Sequence, residues 1–203
     1  MGSTSFRRYT NLAAAVHLLK NRKITLLDPS TWDDRNDAFF MSEYKDRTGA
    51  SSVLALCFAE SHETYHHWRV FSHGSDGVCI EFDKGRLLNA FSSKTGVKHG
   101  PINYTLLRQA QRMTDVNIEE LPYLKRWPYG DEAEYRVVYV NQQVSKPFHE
   151  SPYTGNGTTR VSSSPVSLGG GYCANIHRAC VARWGYGNSN YVGCMRYDRC
   201  SPR

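Results

Sequence analysis

Apolar residues along the first 140 positions follow two different spacings. Short runs rich in β-branched and aromatic residues predict strands at residues 24–27, 53–58, 77–82 and 134–140, and Arg8 and Tyr9 belong to a first strand. Wider apolar spacing predicts helices at residues 11–19, 64–71, 84–91 and 117–126, the first of them capped by Thr10. Because these elements lack a regular β-α alternation, the sequence predicts a single α+β domain with a mostly antiparallel mixed sheet flanked by helices.

The pattern of apolar positions stops near residue 150. Residues 151–203 hold eight of the sixteen glycines and four of the six cysteines, and no helical or strand spacing is sustained there. We therefore divide the chain into residues 1–150, the α+β domain, and residues 151–203, an atypical tail rich in Gly, Ser, Cys and Arg. We expect this tail to be disordered or to come from a shifted reading frame, so that a native closing element is truncated.

Charge and hydropathy exclude a membrane-spanning class. The net charge of +6 comes mainly from the tail, which holds six of the 25 basic residues and only one of the 19 acidic residues. A basic tail is weak support for a nucleic-acid partner. No apolar run approaches the roughly 20 residues that cross a bilayer, and no signal peptide is recognisable, so we expect no membrane partner and a cytoplasmic location.

One segment matches the H-E-x-x-H pattern of zinc proteases. It reads His62-Glu63-Thr64-Tyr65-His66, and the chemistry needs both histidines on one helix face with the glutamate as general base. A third protein ligand is also needed, and Arg69 stands where the extended pattern has glycine. We expect no metal, and His62 and His66 remain a weak alternative as zinc ligands in a metallopeptidase. The structural alternative for this segment is a solvated helix end without a metal.

A series of short motifs falls in the order of a known family. In chain order they are Arg8-Tyr9, Trp32 to Phe39, Leu56-Cys57-Phe58, Trp68 with Phe71, Gly77 to Phe82, and Lys125-Arg126-Trp127 before Glu132-Ala133-Glu134-Tyr135-Arg136. This order resembles the bacterial domain-of-unknown-function family 2971, over about residues 6–140. The resemblance leaves the activity open, and it implies a setting in mobile elements or phage defence.

The same order of residues also resembles ADP-ribosyltransferase-like folds. That resemblance implies that Arg8, Tyr9 and Trp68 bind the nicotinamide nucleotide, so NAD is a candidate cofactor although none is certain. It further implies that Glu132 or Glu134 is catalytic, because a fixed carboxylate stabilises developing positive charge in a dry site. The implied substrate that accepts the group is a nucleic acid or a protein.

Three further residues are candidates for a cleft, namely Asn36, Asp37 and Arg136. Glu134 and Arg136 lie two apart on a strand and therefore share one face, which is turned either to solvent or to a cleft. Asn36 and Asp37 are equally typical of a turn.

Structural and non-enzymatic interpretations stay open beside the transferase. Arg8 could form a structural ion pair with Glu132 or Glu134, and Trp68 could belong to the core. Whether the chain is an enzyme is left open by these patterns. A partner-binding or regulatory module is the alternative function.

Overall fold

The computed structural model describes residues 4–71, 76–112, 116–153, 159–163 and 179–182. The helices are α1 (Leu12–Asn21), α2 (Arg35–Thr48), α3 (Tyr65–Phe71), α4 (Lys84–Ser92) and α5 (Leu107–Ala110). The strands are β1 (Ser5–Asn11), β2 (Lys23–Leu27), β3 (Ser52–Ala59), β4 (Gly77–Asp83), β5 (Val97–Pro101), β6 (Asn103–Thr105), β7 (Leu124–Arg126), β8 (Glu134–Asn141), β9 (Phe148–Pro152), β10 (Thr159–Ser163) and β11 (Ala179–Ala182). Three 3₁₀ helices cover Pro29–Thr31, Ile118–Tyr123 and Trp127–Glu132.

The main sheet is antiparallel throughout its described pairings. Its path runs β11-β10-β4-β1-β3-β2-β9, and β8 joins β3 to β5. A separate parallel pair is formed by β6 and β7. The helices lie on both faces of this sheet, so the predicted α+β domain with a mostly antiparallel sheet is confirmed.

Strand β3 is the point at which the sheet branches. It pairs with β8 over its whole length, but it meets β1 only at Arg7 opposite Ala59 and β2 only at Leu27 opposite Ala55. Between these two positions the carbonyl of Cys57 accepts a hydrogen bond from Nη1 of Arg8 at 3.3 Å. A side chain therefore satisfies a strand carbonyl where β1 and β2 diverge.

The sheet buries a different core on each face, as the alternation of side chains along a strand requires. One core contains Phe6, Leu56 and Val137, and it is covered by α1 and α4 through residues such as Leu18 and Leu87. The other core lies under α2, and its buried residues include Met41, Tyr44, Ala50, Val53, Ala55, Leu121, Leu124 and Val138. Burying each large apolar side chain contributes about 1.5–3 kcal/mol.

Most predicted elements of the first domain are present, with shifted ends. Helix α1 is capped by the side chain of Asn11 rather than by the predicted Thr10. The predicted helix over residues 117–126 is wrong: a 3₁₀ helix that contains Pro122 is followed directly by β7. Proline lacks the N–H that an α-helix interior needs, and its ring disfavours helical geometry in the residue before it.

The predicted tail of residues 151–203 lies for the most part outside the described residues. Within it, β10 pairs with β4 and β11 pairs with β10, so two short segments extend the sheet at the β4 edge. Strand β9 crosses the predicted boundary and ends at Pro152. The proposed frame shift stays a prediction.

The lengths of the helices can be compared with the length that a membrane-spanning helix needs. The longest α-helix in the described part of the chain is α2 with 14 residues, and no helix there is long and apolar enough to cross a membrane.

Candidate functional site

Five charged side chains are buried together on the α2 face of the sheet. They are Asp37, Lys125, Glu132, Glu134 and Arg136, and each is at most 7% exposed. Four different elements supply them: α2, β7, the last 3₁₀ helix and β8. We call this group the charged cluster.

Arg136 is the fully buried centre of the charged cluster. Its Nη1 and Nη2 donate to the two carboxylate oxygens of Asp37 at 2.8 and 2.7 Å, and its Nε donates to Oε1 of Glu134 at 2.8 Å. Nη1 also donates to the carbonyl of Pro122 at 2.8 Å, and the guanidinium lies 4.7 Å from the ring centroid of Trp32. This bidentate geometry fixes both carboxylates and joins α2 to β8.

Lys125 is the second buried cation of the charged cluster. Its Nζ donates to Oε2 of Glu132 at 2.6 Å and to Oε2 of Glu134 at 2.9 Å, and it lies 3.8 Å from Oδ2 of Asp37. The ammonium also lies 5.0 Å from the ring centroid of Tyr129. Lys125 therefore holds the three carboxylates around one point.

The charged cluster contains one more acid than base. Burial alone would raise the pKa of Glu134, but Arg136 and Lys125 hold that pKa at about 2. Burial raises the pKa of Glu132 above its ordinary value, and Lys125 opposes this only in part. Burial also raises the pKa of Asp37, and Arg136 opposes this. The excess negative charge, or the proton that neutralises it, is therefore shared by Asp37 and Glu132, and Glu132 has Lys125 as its cation partner where Asp37 has the bidentate Arg136.

An aromatic group packs beside the charged cluster on the same sheet face. Tyr9 meets the edge of Trp68 at a centroid distance of 5.1 Å, and it stacks on the imidazole of His67 at 5.1 Å. Ala59 packs in this group and lies directly opposite Glu134 in the β3–β8 register. The structure thus brings Tyr9 and Trp68 close to the catalytic candidates.

Ser61 joins the aromatic group to the charged cluster. Its Oγ donates to the carbonyl of Glu132 at 3.1 Å and lies 3.3 Å from Nε2 of His67. The same residue accepts a hydrogen bond at its carbonyl from Nη1 of Arg7 at 2.8 Å. Ser61 is half-buried, whereas His67 and Glu132 are buried.

Two predicted site residues lie apart from this assembly. Arg8 stands opposite Ile80 in the β1–β4 register, on the face that carries Phe6, and it is therefore across the sheet from Glu134. Asn36 is exposed in the first turn of α2, where its backbone N–H donates to the cap residue Asp34. The cation partners of Glu132 and Glu134 are Lys125 and Arg136, so the structural ion pair suggested for Arg8 is not formed.

The H-E-x-x-H segment does not form the geometry of a zinc protease. Helix α3 begins at Tyr65, so His62 and Glu63 precede the helix and share no helical face with His66. Glu63 instead accepts a hydrogen bond from Nε1 of Trp68 at 2.7 Å. Across the described ranges, no group of three His, Cys, Asp or Glu side chains is placed to hold a metal.

Four members of the assembly were not predicted from sequence: Lys125, His67, Ser61 and Trp32. Lys125 and Trp32 stand within motifs that carry the family resemblance, and His67 follows His66 directly. That motif membership was the available signal. Lysine and serine are usually exposed, so their types alone gave no reason to select them.

Comparison with known proteins gives no identification. No family model, no curated protein and no solved structure matches this chain. The resemblance to family 2971 therefore stays a prediction, and a function has to be argued from the site.

Proposed function

We propose that this chain is an ADP-ribosyltransferase-like enzyme that uses NAD and that Glu132 is its catalytic carboxylate. The observation that carries the proposal is the imbalance of the charged cluster, in which three buried carboxylates face two buried cations. Breaking the bond between nicotinamide and ribose develops positive charge on the ribose. A buried site with an excess negative charge favours that transition state.

Glu132 suits this role better than Glu134. Glu134 is held by both Arg136 and Lys125, so its charge is already balanced. Glu132 has Lys125 as its cation partner and ends a 3₁₀ helix next to Ser61. In the proposed reaction Glu134 and Asp37 are positioning residues, because they fix the cations against which Glu132 is oriented.

Aromatic side chains near Glu132 suit a nicotinamide nucleotide. Tyr9 and Trp68 are 7% and 4% exposed, so they form a buried wall. The elements that hold His67 and Glu132 each also carry an exposed aromatic residue, Tyr65 and Trp127, at 77% and 59% exposure. In the proposal these two offer faces for stacking against a planar ring.

The setting of the proposed enzyme follows from the family resemblance. We place it in the cytoplasm of a bacterium, in a mobile-element or phage-defence system, with a nucleic acid or a protein as the acceptor. These parts of the proposal rest on the sequence and not on the geometry of the charged cluster.

The test is nicotinamide release from NAD by the full chain, with and without bacterial nucleic acid and lysate. We expect Glu132→Gln to lower the rate about 10²–10³-fold, the usual effect of removing one group that stabilises transition-state charge. Glu43→Gln is the control, because Glu43 pairs with Arg47 on the surface of α2. The proposal is overturned if NAD is not consumed with any acceptor. It is also overturned if folded Glu132→Gln releases nicotinamide at the same rate as wild type.

A partner-binding module is the second candidate, and the closure of the charged cluster favours it. All five side chains are paired with one another and at most 7% exposed, as in a purely structural network. In that case Glu132→Gln changes stability, wild type releases no nicotinamide, and co-purification from the host recovers a stoichiometric partner.

A further inference from the structure

The hydroxyl of Ser61 lies next to a histidine that is oriented as a base. Nε2 of His67 faces Ser61 Oγ at 3.3 Å, and Nδ1 of the same ring lies 3.0 Å from Oγ1 of Thr64. Thr64 Oγ1 also accepts from the backbone N–H of His67 at 3.3 Å. The Ser61 hydroxyl has one proton, which donates to the carbonyl of Glu132 at 3.1 Å. When Nδ1 of His67 carries the ring proton and donates to Thr64, the lone pair of Nε2 points at Ser61 Oγ, and a rotation of the hydroxyl turns its proton from the Glu132 carbonyl to Nε2.

Packing holds the His67 ring in this orientation. The imidazole is fully buried and stacks on the rings of Tyr9 and Phe71, with interplanar angles of 21° and 22°. Ser61 is half-buried, whereas the ring of its base is fully buried. A nucleophile, a base and a third group that orients the base are the parts of an activated hydroxyl.

The charges around His67 favour its neutral form. Burial is the largest cause that lowers its pKa, and the nearby side chains of His66 and Arg7 act in the same direction. Asp131 and Glu63 oppose this lowering. The imidazole is therefore unprotonated near neutral pH, which a general base requires.

We propose that Ser61 is the hydroxyl that accepts the ADP-ribosyl group, with His67 as its general base and Thr64 as the residue that positions His67. The inference rests on the proposed function, because Glu132, whose carbonyl accepts from Ser61, is the residue proposed to face the ribose. The chain thus modifies itself at Ser61.

The proposed step balances in atoms and electrons. A bond forms between Ser61 Oγ and C1′ of the ribose while the bond from C1′ to the nicotinamide nitrogen breaks. Nicotinamide leaves as a neutral molecule with the bonding electron pair. The hydroxyl proton passes to Nε2 of His67, which becomes the imidazolium.

The experiment measures two quantities on the full chain incubated with NAD: nicotinamide release, and ADP-ribosyl modification mapped by peptide mass spectrometry. We expect modification at Ser61, its loss in Ser61→Ala, and a decrease of about 10²-fold or more in His67→Gln. Ser51→Ala is the matched control, because Ser51 is also half-buried and also donates to a backbone carbonyl, that of Gln142 at 2.9 Å.

A pH profile of wild type keeps the inference testable if His67→Gln fails to fold. The ratio of Ser61 modification to nicotinamide release should fall as the pH is lowered through the pKa of His67, below about 6.5. Three outcomes would overturn the inference and leave the proposed function intact. They are nicotinamide release without modification at Ser61, a ratio of modification to release that does not change with pH, and full modification of Ser61 in folded His67→Gln. Absence of nicotinamide release from wild type overturns the proposed function itself.

Discussion

Arg136 shows how a single buried charge can organise several elements. Its guanidinium has no exposed surface, and it contacts Asp37 on α2, Glu134 on its own strand and the carbonyl of Pro122. Burying a guanidinium costs several kcal/mol, which such close hydrogen bonds offset. Its removal therefore leaves three buried carboxylates with one cation, Lys125, beside them.

At the scale of single residues we predict that Arg136→Met destabilises the fold by about 3–5 kcal/mol, the usual effect of removing one partner from a buried ion pair. Urea unfolding monitored by circular dichroism measures the change. The matched control is Arg47→Met, because Arg47 pairs with Glu43 at the surface of α2 and such pairs contribute about 0.3–0.5 kcal/mol. A loss below about 1 kcal/mol for Arg136→Met would show that the cluster relaxes without its central cation.

At the scale of elements, the sequence predicts those strands whose burial follows from their own apolar residues. The strands at residues 53–58 and 134–140 match β3 and β8, because apolar runs of this length identify buried strands. Helix α2 was missed, since Asn36 and Asp37 were interpreted as turn residues. The helix is capped by Asp34, a residue type that favours both turns and helix starts, so local sequence does not separate the two.

The candidate site was predicted only in part, because its contacts are distant along the chain. Asp37 and Arg136 are 99 positions apart, and no local pattern links them. Glu134 and Arg136 share one face of their strand, as the sequence predicts. Whether that face is turned to solvent or to a cleft depends on α2, which the sequence did not predict. Lys125 carries no local sign of burial, and its environment is created by residues from three other elements.

The turn before β5 gives a prediction for one element. Gly96 has a positive φ of 79°, and a Cβ there would lie 2.6 Å from the carbonyl oxygen of Val140. The Gly96 carbonyl accepts the N–H of Val140 at 2.8 Å, so displacement would also weaken the pairing of β5 with β8. We expect Gly96→Ala to destabilise the fold beyond the roughly 1–2 kcal/mol of left-handed strain alone.

Gly49→Ala is the control for this prediction. Gly49 also has a positive φ, 64°, but no atom lies within 4 Å of a Cβ built there. It should show only the backbone strain of about 1–2 kcal/mol, and thermal unfolding compares the two variants. Equal losses would mean that the close approach to Val140 is relieved at no cost.

At the scale of the whole molecule, pH acts on stability through buried and half-buried groups whose contributions have opposite signs. Burial lowers the pKa values of His67, His99 and His149 in the folded state. The stability that these residues contribute to the fold is therefore lost as the pH falls below about 6.5. Glu134, with its pKa of about 2, loses its contribution only in stronger acid. The pH dependence of wild type alone would therefore mix these contributions, and a difference between two variants is needed to isolate Glu132.

Glu132 should have the opposite sign to those histidines. Burial raises its pKa in the folded state, so its contribution is fully present below the unfolded value of about 4.3 and is lost as the pH rises through the raised value. Glu132→Gln lacks this titration, while the three histidines, Glu134 and Asp37, whose pKa burial also raises, remain in both proteins. The stability of wild type minus that of Glu132→Gln should therefore increase as the pH is lowered from about 8 to about 5. Urea unfolding of both proteins over this range measures the difference. A constant difference, or one that decreases toward acid, would mean that Lys125 fully balances Glu132, and it would remove the excess charge on which the proposed catalysis depends.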